Sequence, residues 1–215
     1  MNNCRRVKAE PKFWFVGVAR RLAAVRFDEF CHQKTNTYMK ICVFSDFHGD
    51  AEAVSQAVEI TSKLHPDKVV VCGDIFVSRE GTQRQIAELL GKIDCTLYLI
   101  RGNNDYLWQG VQLPTCLEDN AVMYHFGRTL YFTHGDRFNA LRLPPLVKDG
   151  DVLVHGHTHI GRIRVCDGVV VANVGSMALP RDGVADYMLI DEKGIALFDL
   201  SGNALQSLAW TALPQ

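Results

Sequence analysis

Lys40-Ile41-Cys42-Val43-Phe44-Ser45-Asp46-Phe47-His48-Gly49 is the stretch whose reading decides the fold. Ile41 to Phe44 is an unbroken apolar run of strand length, which is how a strand buried on both faces reads. It ends abruptly in two side chains rich in lone pairs, Asp46 and His48, followed by a glycine. A helix pattern follows from Asp50 to Leu64, with Ala53, Val54, Ala57, Val58, Ile60 and Leu64 apolar and Asp50 as N-cap. Lys68 to Cys72 reads as a second strand, Arg79 to Lys92 as a second helix, and Thr96 to Ile100 as a third strand. This βαβαβ order implies parallel strands joined by right-handed crossovers.

Further along, the pattern changes. Ala121–Phe126 and Thr129–Thr133 flank Gly127-Arg128, a hairpin signal. Short strands follow at Asp151–His155, Arg162–Cys166, Val169–Asn173, Tyr187–Asp191 and Ile195–Leu200, with turns at Asp167-Gly168 and Lys193-Gly194. The expectation is a parallel α/β first half and a mostly antiparallel second half.

The chain has 215 residues, 47% hydrophobic and 22% charged, which is ordinary globular usage for one domain. A net charge of −1 gives no reason to expect a nucleic-acid partner. The charge is unevenly spread. Residues 1–38 carry eight Lys/Arg and three acids, +5; the rest carries 15 against 21, −6. Residues 1–38 therefore read as an extension of different character: a poorly ordered or weakly docked helix, a targeting segment without serine, or sequence upstream of a true start at Met39. The last is favoured, because Met39 opens the first clear strand. The domain proper is 39–215. The seven cysteines are odd in number and form no CxxC pair; several sit inside apolar strands. They read as free thiols of a reducing, cytoplasmic compartment. No apolar run reaches the roughly 18 residues that a membrane span needs.

Five short motifs close apolar strands: Asp46-Phe47-His48-Gly49, Gly73-Asp74, Gly102-Asn103-Asn104-Asp105, Thr133-His134-Gly135 and Gly156-His157-Thr158-His159. Strand ends of an α/β sheet are where loops build sites. Carboxylate, amide oxygen and imidazole together suit Mn²⁺, Fe, Zn²⁺ or Co²⁺. In an extended segment, the spacing of Asp46/His48 and of His157/His159 would put both members on one side. Two ions about 3.5–4 Å apart clamp a phosphoryl group and hold a bridging hydroxide for in-line attack. Asp74, at the end of the second and expectedly central strand, is the natural bridging carboxylate.

The five motifs in this order resemble the calcineurin-like metallophosphoesterase superfamily and, within it, the small YfcE-like phosphodiesterase group. Asn173-Val174-Gly175-Ser176 resembles that group's Asn-Pro-Gly-Ser turn, and the likeness runs from Met39 to about Leu200. It implies an α/β fold: an αββα sandwich of two mixed β-sheets flanked by helices. It also implies two divalent metals, Mn²⁺ first, with Fe, Ni²⁺ or Zn²⁺ as substitutes. Asp46, His48 and His159 would hold one ion, Asn103, His134 and His157 the other, and Asp74 would bridge. The expected activity is hydrolysis of a small phosphate ester or phosphodiester. Asn104 and Asp105 are the candidate catalytic positions. Asn104 stands where larger members have an acid-donating histidine, and an amide cannot act as that acid. Asp105 reads equally as a partner that orients a ligand or caps a loop. Asp136 stands where the small group often has a second histidine, and Val174 where it has proline. The rival reading is a VPS29-like protein-binding scaffold on the same fold. The loops Tyr106–Glu118 and Asp136–Lys148 would set specificity, with Tyr106, Trp108, Arg137 and Arg142 read either as substrate contacts or as packing and solvated surface, and exposed strand edges leave room for a homodimer.

Overall fold

A computed structural model describes residues 39–76, 80–105, 111–145 and 147–212. The extension at 1–38 and the specificity candidates Tyr106 and Trp108 lie outside these residues. The chain runs β1 (Ile41–Phe44), α1 (Ala51–Leu64), β2 (Lys68–Cys72), α2 (Glu80–Leu90), β3 (Thr96–Ile100), β4 (Leu117–Glu118), β5 (Ala121–His125), β6 (Arg128–Phe132), β7 (Val152–His155), β8 (Arg162–Cys166), β9 (Val169–Asn173), β10 (Asp186–Ile190), β11 (Gly194–Asp199), β12 (Ala204–Ala209) and a closing 3₁₀ turn, Trp210–Ala212.

The strands form two mixed sheets, in the orders β12-β11-β10-β1-β2-β3-β4 and β5-β6-β7-β9-β8. Neighbours from β1 to β4 run parallel, and β10, β11 and β12 continue the first sheet antiparallel. One expectation is corrected, and the mostly antiparallel second half holds with one exception. The middle strand of the first sheet is β1; β2 lies beside it. In the second sheet, β7 is parallel to both β6 and β9. The cause is the β8–β9 hairpin around Asp167-Gly168: it folds β8 outward to the edge and leaves β9 beside β7.

Alternation along each strand sorts its side chains between two cores. Ile41, Val43, Val70, Cys72 and Ile100 point between the sheets and meet Leu130, Phe132, Val152, Val154, Val170 and Ala172. Cys42, Phe44, Val69, Val71 and Leu99 point the other way, onto Val54, Ala57 and Ile60 of α1 and Ile86 and Leu90 of α2. Phe44 is wholly buried, and a side chain of that size contributes roughly 1.5–3 kcal/mol. Both helices thus cover the first sheet. On the outer face of the second, Leu153, Val169 and Val171 pack against Ala140, Leu143 and Val147 of an irregular segment.

Helix α1 begins where the sequence places it. The Asp50 side chain accepts from the Glu52 and Ala53 amides at 2.9 and 3.2 Å, and His65 closes the helix in a left-handed conformation. No helix among the described residues is long and apolar enough to cross a membrane. At one side the two sheets are laced together. The Gln206 amide of β12 accepts from Ile163 N at 2.8 Å and donates to Ile163 O at 2.6 Å, occupying the outer edge of β8.

Candidate metal centre

Each expected ligand sits on a strand-end loop, and the loops converge. Asp46 and His48 follow β1, Asp74 follows β2, Asn103 follows β3, His134 follows β6, and His157 and His159 follow β7. The backbone there is not the extended segment expected from the spacing. Asp46, His48, Asp74, His157 and His159 have φ of 56, 46, 51, 70 and 62°, all left-handed. Only three other described non-glycine residues do this: His65, Phe126 and Asp167. Each such residue costs roughly 1–2 kcal/mol and persists only where its surroundings hold it. The hold here is cross-strand: Asp46 N to Gly73 O at 3.0 Å, His48 N to Asp74 O at 2.8 Å and Gly49 N to Ile75 O at 3.0 Å. Backbones crowd here. A Cβ on Gly102 would overlap the amide and carboxylate of Asp74, and one on Gly156 would overlap Ser45 Oγ and Asp46 Oδ2.

Two groups of side chains result, Asp46 with His48 and His159, and Asp46 with Asp74 and His134. In the first, His48 Nε2 and His159 Nε2 are 3.1 Å apart, and Asp46 Oδ1 lies 3.7 and 3.3 Å from them. In the second, His134 Nε2 is 3.0 Å from Asn103 Oδ1, 3.1 Å from His157 Nδ1 and 3.5 Å from Asp74 Oδ2. The same Asp74 oxygen is 3.6 Å from His48 Nε2, so it faces both groups.

Ring hydrogen bonds fix which nitrogens face inward. His134 Nδ1 donates to Cys72 O at 2.8 Å, and His159 Nδ1 donates to Leu179 O at 2.8 Å. In the neutral rings each Nε2 then carries a lone pair aimed into the centre. Asn103 Oδ1 and the carboxylates add further acceptors. Buried Asp46 Oδ1 has no hydrogen-bond donor at all, while Asp46 Oδ2 takes Ser45 Oγ at 2.6 Å and His157 N at 2.9 Å. With the imidazoles neutral, these converging acceptors fit divalent cations, and the mix of oxygen and imidazole nitrogen suits first-row metals.

The titration of the centre says the same. Burial alone would lower the His134 pKa, but the hydrogen bond and charge of Asp74 outweigh it and raise it to about 9. Asp74 goes the opposite way: burial is outweighed by His134 and by the two Asn104 donors, and the carboxyl lies well below the usual range. Burial dominates elsewhere, raising Asp46 and lowering His48 and His157. The proton on His134 occupies the place a cation would take.

The candidate catalytic positions lie just behind these groups. Asn104 grips Asp74 at both carboxylate oxygens, backbone N to Oδ1 at 2.8 Å and Nδ2 to Oδ2 at 2.7 Å. Asp105 turns away from the centre. Its carboxylate accepts from Ile75, Phe76 and Gly102 amides at 2.7–2.9 Å, which ties the loops after β2 and β3 together. Burial raises its pKa to about 6, with those amides opposing. These bonds are those of a loop cap. Arg142 stacks over Phe138 at 5.7 Å, and Arg137 lies 3.9 Å from Asp136 at the surface. Val174, in place of proline, donates its amide to His155 O at 2.8 Å.

Three supports were given no role by the sequence, although Ser45 and Ser176 stand inside stretches already quoted. Ser45 bonds Asp46, and Ser176 Oγ donates to Asp46 O at 2.8 Å. Asp186 is fully buried and lies so close to Gly161 and Gly175 that a Cβ on either would overlap its carboxylate. A serine is too common, and an acid at a strand start too ordinary, to announce such roles.

A two-sheet α/β sandwich with an Asp/His/Asn cluster on its strand-end loops defines a metallophosphoesterase class. Residues 39–194 match the calcineurin-like phosphoesterase superfamily domain, and the chain belongs to that superfamily. It is 28% identical over 177 residues to the phosphodiesterase YfcE of Escherichia coli K12, covering 78% of this chain and 95% of that one. To a phosphodiesterase of Methanocaldococcus jannaschii it is 25% identical over 165 residues, 71% of this chain and 93% of that one. Among solved structures, the Escherichia coli YfcE phosphoesterase superposes with a TM-score of 0.69 at 23% identity, over 80% of this chain and 99% of that one. Vacuolar protein sorting 29 of Cryptosporidium parvum gives 0.58 at 19%, over 81% and 100%; both show the shared fold.

Proposed function

We propose that this chain is a dinuclear-metal phosphodiesterase. Its catalytic domain is 39–215, with residues 1–38 an extension outside it. Asp46, His48 and His159 hold one ion, Asn103, His134 and His157 the other, and Asp74 bridges. The observation that carries this reading is Asp74 Oδ2, one oxygen 3.6 Å from His48 Nε2 and 3.5 Å from His134 Nε2. When bound, a metal pair supplies charge to draw in a phosphoryl group and acidity to activate water, and Mn²⁺ suits this donor set. Phosphodiesterase-named relatives support a diester substrate of small size.

The protein's own groups act by position. Asn104 donates its backbone N–H and one Nδ2 hydrogen to Asp74 and so fixes the bridging carboxylate. Having no acidic proton, it leaves the departing alkoxide unprotonated. The leaving group must then be intrinsically good, which favours aryl and other activated esters. Asp105 holds the loops after β2 and β3, Ser45 donates to the Asp46 carboxylate, and Ser176 fixes the backbone of Asp46. The free thiols among the described cysteines support a reducing, cytoplasmic setting, and a homodimer would use the remaining strand edges.

The test is hydrolysis of bis-p-nitrophenyl phosphate beside p-nitrophenyl phosphate, with and without Mn²⁺, for the chain and for Asp74→Asn. Mn²⁺-dependent turnover that favours the diester and is lost in the variant is expected. A folded, metal-loaded chain with no turnover would move the assignment to a protein-binding scaffold.

A further inference from the structure

On the outer face of the second sheet, behind the loop that carries His157 and His159, lies a cleft of about 190 Å³. It is lined by His155, Thr158, Ile160, Arg162, Arg164, Val171 and Asn173. Strand register explains the grouping. His155 pairs with Asn173 across β7 and β9, Asn173 pairs with Arg162 across β9 and β8, and Arg164 stands opposite Val171. Alternate residues share a face, so the two arginines project together from edge strand β8 while Ile163 between them enters the core.

The hydrogen-bond accounting leaves donors to spare. Asn173 Nδ2 serves the floor, donating to Gly156 O and Thr158 Oγ1, both at 2.8 Å. Asn173 Oδ1 accepts from Gly175 N at 2.9 Å. Thr158 Oγ1 is thus an acceptor already, and its own hydrogen is free to point into the cleft. Arg162 and Arg164 are exposed, and their side chains make no ion pair or hydrogen bond among the described residues. No carboxylate lines the cleft. His155 is buried, and its Nδ1 donates to Gly156 O at 2.9 Å. Two guanidinium forks and a hydroxyl therefore converge on a small concave site with no counter-charge of its own. Planar forks that match tetrahedral oxyanions bidentately are the usual chemistry of phosphate recognition.

We propose that this cleft is a second anion-binding site, taking one phosphoryl group on Arg162, Arg164 and Thr158. It shares a wall with the metal centre: Gly156–Ile160 presents His157 and His159 to the metal ligands and Thr158 and Ile160 to the cleft. An anion held there would stiffen the loop that positions two proposed ligands. The phosphoryl group has two sources, free phosphate or a further phosphate on a bound substrate. The site itself does not depend on the phosphodiesterase reading.

The test is a titration of the full chain with inorganic phosphate, followed by backbone amide shifts in the presence and absence of a chelator. Saturable shifts at Thr158, Arg162 and Arg164 are expected in both conditions, with affinity on the order of tenfold weaker in Arg162→Ala/Arg164→Ala. Both side chains are exposed, so the variant keeps its fold, checked by an unchanged Tm without phosphate. Chloride at equal ionic strength separates binding from screening. Shifts confined to the metal loops, equal affinity in the variant, or an effect that chloride reproduces would each overturn the proposal. The sources separate in assay. If the ligand is free phosphate, added phosphate alters turnover of bis-p-nitrophenyl phosphate differently in wild type and variant. If it is part of the substrate, the variant raises KM only for a diester bearing an extra phosphate.

Discussion

Replacing Asp186 by asparagine should flatten the pH dependence of stability. Asp186 is 1% exposed, and its Oδ1 has no hydrogen-bond partner. Burial first, and then the charge of Asp182, push its pKa up to about 8. In the unfolded chain the same carboxyl titrates near the ordinary value of about 3.9. Between those values the folded chain keeps a proton that the unfolded chain has released. Stability is therefore full at low pH and falls as pH rises, levelling off above the folded pKa. The slope is at most about 1.4 kcal/mol per pH unit, or roughly 4 kcal/mol from pH 5 to 8. Relaxation and water entry would reduce this, so a loss of about 2 kcal/mol is the working figure. Asparagine carries no such penalty. Urea unfolding of the metal-free chain from pH 5 to 9, wild type against Asp186→Asn, reads the difference, and other titrating groups cancel. The variant should gain about 2 kcal/mol on wild type across that range. Parallel pH profiles would mean that Asp186 is ionised and partnered in the fold, and the reasoning would be wrong.

Other outcomes follow from the centre. His134, raised to about 9 by Asp74, is protonated at pH 7.5, so a divalent ion must displace its proton. Calorimetry in buffers of different ionisation enthalpy should register about one proton released at that site, and heats independent of buffer would contradict this. Asn104→His should restore an acid near the leaving group. The ratio of alkyl to aryl ester turnover should rise by about tenfold or more; an unchanged ratio would show that position 104 does not face the departing oxygen. Asp105→Asn presents an NH₂ group to backbone donors in place of an acceptor. The cost should be about 1–3 kcal/mol, seen as a lowered Tm, and a variant as stable as wild type would refute the clamp.

Much of this architecture is legible in the sequence because it rests on local rules. β2, β3, β8 and β9 fall on the residues that apolar runs and turn dipeptides mark, and α1 starts where Asp50 can cap it. β12 was not legible: Ala204-Leu205-Gln206-Ser207-Leu208-Ala209 has no β-branched residue and is mostly exposed, so it forms through β11 and not through its own preference. The parallel placement of β7 was equally hidden, since pairing order depends on which edge a hairpin folds toward. At the centre, residue types and strand ends foretell which seven side chains meet. They do not foretell the left-handed backbone that aims Asp46, His48, Asp74, His157 and His159, because that conformation is imposed by hydrogen bonds between distant loops. Asp186 could not be read at all, as its significance lies in Gly161 and Gly175, remote in sequence.

The Gln206 amide on Ile163 bears on how the molecule stays apart from its copies. A sandwich has four outer strand edges, each a template on which a second chain could lay a strand. On this side one side chain mimics that strand, filling both polar groups of Ile163 with a donor and an acceptor that cannot propagate. One side chain of β12 thus caps the edge of β8 at Ile163, where a barrel would use a full ladder. Gln206→Leu would uncover the backbone N–H and C=O of Ile163, beside the half-exposed Val165, and open that edge to strand addition.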